Sequence, residues 1–211
     1  LIANCTVDDV DARRTEGPHP HPDVNQMNSA RNFIIFNLSA TNVRSQGIYI
    51  RGEDWAIVNV FIQQAEGSNY LWQVDKIPHV RHCLLWHCGT VNQNFLWRTG
   101  AGTKECRDIS VRNSVFTHMS CGTSSTGEPT DCRYLVEEVM TLDSNHFVTS
   151  SFAEGTNATT GGVGFAQQPD GEWGLAAGSP LLERVDELLV PCDVNAEPRT
   201  VPTAIGPFRA P

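Results

Sequence analysis

Short alternations of apolar and polar residues recur along this chain, each opening on a single polar position. "ANCTV" (3–7), "FNLSA" (36–40), "VNVFI" (58–62), "RHCLL" (81–85) and "RNSVF" (112–116) share the pattern. In each, Asn4, Asn37, Asn59, His82 or Asn113 is followed by a small or apolar residue and, two further on, by an apolar one. The polar position advances by 22 residues from Asn37 to Asn59 and by 23 to His82. Steps of 33 (Asn4 to Asn37) and 31 (His82 to Asn113) flank these, and "SNHFVTSSF" (144–152) adds Asn145, 32 residues after Asn113. A period in the twenties that tolerates insertions is the mark of stacked repeats.

The units are rich in Val, Ile, Phe, Thr and Asn and lack amphipathic runs of helical length, so they predict strands. A second strand follows within each unit: "DVNQM" (23–27), "GIYIR" (47–51), "YLWQV" (70–74) and "NFLWR" (94–98), with glycine-containing punctuation between most of them. These features predict an all-β solenoid, a parallel β-helix of about six coils over 1–152. The glycines of "GTNATTGGVGFAQQPDGEWG" (155–174) end the pattern, so 153–211 is expected to be an irregular C-terminal cap of the same domain. Inward columns are predicted through Cys5, Leu38, Val60, Cys83 and Ser114, and through Val7, Ala40, Ile62, Leu85 and Phe116. The polar positions are expected to stack as a ladder. An asparagine at a corner bonds otherwise unpaired backbone groups and the amide one coil away, and His82 offers a donor and an acceptor in the same place.

Two further stretches carry a resemblance. "GSPLL" (178–182) followed by "VPCDVNAEPRTVPTAIGPF" (190–208) resembles the closing segment of secreted bacterial right-handed β-helix proteins. Asp193, Pro198, Arg199, Ile205, Gly206 and Phe208 match its pattern, whereas Ala196 or Glu197 stands where glycine is common, and Pro207 replaces an alanine. "HPDVNQ" (21–26) is similar to a strand start of pectate-lyase-like β-helices. The resemblance implies a right-handed β-helix, a secreted or cell-surface bacterial setting and a carbohydrate-directed role. It names no substrate, because this fold hosts lyases, hydrolases, epimerases, phage spikes and adhesins.

Charge narrows the partners. A net charge of −9 disfavours non-specific attraction to nucleic acid or anionic lipid, and no apolar stretch approaches the roughly 18 residues needed to cross a membrane. Of 15 basic residues only Lys76 and Lys104 are lysine, so arginine carries the positive charge, and its planar fork suits carboxylates. Seven cysteines predict at least one bridge, with Cys121–Cys132 one candidate pair. The opening "LIANCTVDDV" already reads as a strand, which leads us to expect a chain that begins inside a longer protein.

Candidate chemistry follows from the parity of the second strands. With Val24, Ile48, Ile50, Leu71 and Phe95 inward, the outward strip holds Asp23, Asn25, Tyr49, Arg51, Trp72, Leu96 and Arg98, and His21 shares the parity of Asp23. Gln26, Gln73 and Trp97 then fall inward. A carboxylate, a histidine, arginines and aromatic rings suit an acidic polysaccharide cleaved by β-elimination. His21 or an arginine would serve as base, Asp23 would orient His21 or ligate Ca2+, and Arg51 and Arg98 would clamp a uronate carboxylate. Asn25, Tyr49, Trp72 and Asp75 are the candidate substrate-binding groups. The rival readings are a non-catalytic glycan-binding or structural surface β-helix, adhesin- or spike-like, and a glycoside hydrolase. The hydrolase needs paired carboxylates, and beyond Asp23 only Asp75 and Glu53 offer themselves. "HVRHCLLWHC" (79–88) has zinc-like composition, but the predicted ladder and column send His82 and Cys83 in different directions.

Overall fold

The computed structural model describes residues 1–10, 24–44, 47–64, 70–74, 79–86, 88–91, 94–97, 105–116, 119–121, 140–148, 155–162, 164–182, 185–186 and 190–209. Among the described residues the chain is all-β, with no helix. The strands are β1 (Ile2–Asp8), β2 (Asn25–Val43), β3 (Ile48–Gln64), β4 (Tyr70–Val74), β5 (His79–Trp86), β6 (Gly89–Val91), β7 (Asn94–Trp97) and β8 (Glu105–Arg112). There follow β9 (Val115–Phe116), β10 (Met119–Cys121), β11 (Met140–Asp143), β12 (His146–Phe147), β13 (Thr159–Thr160), β14 (Phe165–Gln167) and β15 (Trp173–Leu175). The first thirteen form one sheet in which every pairing is parallel, and only β14 and β15 pair antiparallel.

Successive layers stack at varying offsets. Ile2 pairs with Ile35, Phe33 with Trp55, Trp55 with Cys83, Cys83 with Ile109 and Ile109 with Met140, offsets of 33, 22, 28, 26 and 31 residues. Stacking continues past the predicted limit at residue 152, since β12 pairs with β13.

The long strands are bent at regular points. Twelve non-glycine residues among those described have positive φ, and ten of them are Asn or Asp, the side chains that enter the left-handed region at least cost. Asn4 and Asp9, Asn32, Asn37 and Asn42, Asp54 and Asn59, and Asp108 and Asn113 stand five residues apart. After Asn32, Asn37, Asp54, Asn59 and Asp108 the first and third residues are buried: Phe33 and Ile35, Leu38 and Ala40, Trp55 and Ile57, Val60 and Ile62, Ile109 and Val111. Alternation has period two within a side, and the left-handed residue shifts its phase by one. These residues make the main apolar core.

The columns Cys5–Leu38–Val60 and Val7–Ala40–Ile62 stack as the sequence predicts. The fourth unit does not. Trp55 pairs with Cys83 and Phe61 with Gly89, so Cys88 rather than Cys83 continues the Val60 column, and Leu85 lies in the Ile57 column. His82, immediately before Cys83, belongs one corner earlier than the Asn59 ladder. Cys88 is buried, and its thiol donates to the Ile57 carbonyl at 3.5 Å. The sixth unit is also corrected, by one residue. Asp143 pairs with Arg112 and His146 with Val115, so Ser144 at φ 53° follows Asn113 at the corner. Asn145 instead fills the buried position beside Ser114, accepting from the Ser114 amide at 3.1 Å and donating to the Val111 carbonyl at 2.8 Å.

The C-terminal segment returns along the outside of the stack. Phe61 and Val115 occupy second positions after an Asn or Asp corner, which elsewhere among the described residues are at least partly exposed, yet both are buried beneath Phe165, Leu181, Ile205 and Phe208. Ring centroids of Phe61 lie 4.8 Å from Phe208, 5.7 Å from Phe165 and 5.6 Å from Trp173. The Gly206 amide donates to the Asn113 carbonyl at 2.7 Å, which ties the segment to the corner column. The matched motif residues make its turn. Asp193 Oδ1 accepts from the amides of Asn195 and Glu197, each at 2.9 Å, and Oδ2 accepts from that of Arg209 at 3.2 Å. Ala196, where glycine is common in the resembled family, sits at φ 64° and is exposed. Ala196→Gly is therefore expected to raise stability by about 0.5–1 kcal/mol, read as a higher urea midpoint at unchanged slope.

Candidate functional site: a groove beside the asparagine ladder

Four of the eight candidate site residues, His21, Asp23, Asp75 and Arg98, lie outside the described residues. For the other four the backbone register is described. Ile48, whose side chain is buried, pairs with Asn25 and with Trp72, and Trp72 pairs with Phe95. Asn25 and Trp72 therefore stand level with Ile48 along the stacked backbones, and the register shifts between Tyr70 and Trp72. Tyr49 pairs with Gln26 and Gln73, so those glutamines share the Tyr49 column, and Arg51 pairs with Asn28. Glu53 is buried and ion-paired to Arg31 at 2.8 Å. Among the described residues no three His, Cys, Asp or Glu side chains converge as a metal would require. Cys5, Cys88 and Cys192 are free thiols, and Cys132, one half of the candidate pair with Cys121, lies outside the described residues.

What the chain does assemble is the ladder and its cover. Asn37 Nδ2 donates to Asn4 Oδ1 at 3.0 Å, and Asn59 Nδ2 donates to Asn37 Oδ1. The second Asn59 proton goes to the Cys192 carbonyl at 3.1 Å. Asn59 Oδ1 accepts from Arg199 Nη2 at 2.9 Å. Arg199 is buried and spends its other donors on the carbonyls of Cys192 (2.9 Å), Gly206 (3.1 Å), Pro207 (2.8 Å) and Phe208 (3.2 Å), and on Thr203 Oγ1 (3.4 Å). Burial pulls its pKa down to about 10, against the opposing effects of the Asp193 and Cys192 charges, so it remains a cation at neutral pH. Sequence reading marked Arg199 as part of a turn. Its union with Asn59, 140 residues away, had no local signal.

Beyond Arg199 the ladder runs out from under its cover and borders a groove of about 660 Å³. The floor carries the hydroxyls of Thr6, Ser39 and Thr41 beside the amides of Asn4 and Asn37. The far walls are Gly171–Trp173 and Val194–Glu197, with Phe208. Thr6 and Asn4 are exposed, Ser39 and Thr41 partly so, and the indole of Trp173 is half-buried. Thr41 donates its hydroxyl proton to Asp8 Oδ1 at 2.7 Å, a bond that, with one from Asn42, lowers the Asp8 pKa. The Thr41 oxygen is thereby left as an acceptor. Glu197, at the rim, is bridged to Arg209 at 3.4 Å. A second cleft of about 640 Å³ lies at the other end of the corner column, beside Asn113, Ser144 and Asn157. Arg112, Asp143 and Asp186 also line it, and none of its described lining residues is aromatic.

His146, at the same buried end, is fully used. Its ring nitrogens meet Thr159 Oγ1 at 2.9 Å and the Gly162 carbonyl at 3.0 Å, a structural role that leaves no lone pair for catalysis. Compared with protein-family models, with curated proteins and with solved structures, the chain matches none.

Proposed function

We propose that this chain is a right-handed parallel β-helix, secreted or displayed on a bacterial surface, that binds a polysaccharide in the groove beside its asparagine ladder. The parallel layers, the recurring left-handed corners and the buried columns support the fold. One observation carries the function: a floor of hydroxyls and amides, with no net cation of its own, faces a partly exposed indole. Hydroxyls and amides exchange hydrogen bonds with sugar hydroxyls, and an indole covers the apolar face of a pyranose. Glycan binding without cleavage is the reading that these hydroxyls, amides and the indole favour, since they supply contacts to a sugar.

Affinity electrophoresis through gels containing neutral or uronate polysaccharides tests the proposal. Wild-type protein is expected to be retarded by at least one polymer. Trp173→Ala, confirmed as folded by circular dichroism, should weaken binding about tenfold, the loss of roughly 1.4 kcal/mol of ring contact. No retardation in any gel sinks the reading. An ultraviolet-absorbing unsaturated product would instead make the chain a lyase.

A further inference from the structure

The ladder has a direction, and its direction is forced. A guanidinium can only donate, so Asn59 must turn its oxygen to Arg199 and its NH2 toward Asn37. The Cys192 carbonyl, which can only accept, holds the second Asn59 proton and fixes the same orientation. Asn37 must then present its oxygen to Asn59 and its NH2 to Asn4, and Asn4 spends its oxygen on Asn37. The chain of bonds thus runs from a buried cation through three amides to the NH2 of Asn4, which is exposed and borders the groove. Each bond polarises the next by about 10–30%, and all three amides point the same way. The last group is therefore a donor, strengthened from behind and unable to accept.

We infer that the Asn4 amide is a specificity-determining group, with Arg199 its positioning residue, and that it selects sugars carrying an oxygen that only accepts. A hydroxyl meets a donor or an acceptor equally well and gives little discrimination. An acceptor-only oxygen, a uronate carboxylate or the carbonyl of an N-acetyl group, accepts from this donor more strongly than a hydroxyl does, and the unsubstituted sugar lacks it. This inference rests on the glycan-binding reading and adds the ligand's chemical class to it.

The test is a calorimetric titration of wild type and Asn4→Asp with two pairs of oligosaccharides. One pair is N-acetylated against the parent sugar lacking the amide, and the other uronate against its carboxyl-reduced form. Aspartate keeps the shape, tolerates φ 53° and still accepts from Asn37, so the melting temperature should not fall, but the groove loses its donor. Wild type is expected to prefer one acceptor-bearing member over its partner by about tenfold or more, and Asn4→Asp to lose that preference. Preference within the acetyl pair identifies the carbonyl, and within the uronate pair the carboxylate. Equal binding to both members of each pair, or a preference that survives Asn4→Asp, overturns the inference while leaving glycan binding intact. If no oligosaccharide binds wild type, the glycan reading itself fails and takes this one with it.

Discussion

Arg199→Met is expected to lower the unfolding free energy by about 3–5 kcal/mol, the range seen when one partner of a buried charged network is removed. Methionine fills comparable space with no donors. Four backbone carbonyls, the Thr203 hydroxyl and Asn59 Oδ1 then lose the group that gathers them. Each buried acceptor left without a donor costs about 1–3 kcal/mol, although those nearest the surface regain water. Arg199→Lys should fall between, because a point ammonium with three donors cannot reach six acceptors in one plane. Urea unfolding followed by circular dichroism measures both. A loss below about 1 kcal/mol for methionine would mean that the network is ornamental, and the forced direction of the ladder would lose its physical basis.

Phe61→Ala is expected to cost a similar 3–5 kcal/mol, by a different route. Phe61 is fully buried against Phe165, Trp173 and Phe208, the joint between the stacked strands and the returning segment. Alanine opens a cavity there, and the hydrogen bonds that flank it, from Gly206 to Asn113 and from Arg199 to Asn59, close an otherwise apolar seam. Amide exchange should therefore accelerate first in 190–208, ahead of β2 and β3. Uniform acceleration across the chain would show instead that the segment and the strands open as one unit.

Much of the fold was legible because the corner rule is local. A residue tolerant of positive φ, then apolar positions one and three places on, can be read from five letters, and Asn4, Asn37, Asn59 and Asn113 were so found. The same locality caused the main error. "HC" occurs at 82–83 and again at 87–88; the first fits the rule, with Leu85 at the third place, whereas the second has Thr90 there, yet the 28-residue offset of β5 from β3 puts Cys88 in the Val60 column. A period inferred from the preceding step of 22 favoured the wrong one, since nothing in the letters counts the residues that a loop consumes.

The groove was not legible at all. Its floor is written at residues 4–41 and its walls at 171–173 and 194–197, so no window of sequence contains both. A hint existed in Phe61 and Val115, apolar residues at positions where Ser39 and Ala56 are only partly covered. Such a residue asks for a cover, and the cover that answers it is what raises the walls.

The five-residue spacing of the left-handed corners carries a further consequence for how the chain withstands change. In an uninterrupted strand one inserted residue flips every later side chain to the opposite surface. Here each Asn or Asp re-zeroes the count, so such an accident damages four residues and stops at the next bend. The corners serve as firebreaks, and loops of very different length can be spliced between layers without the fault spreading.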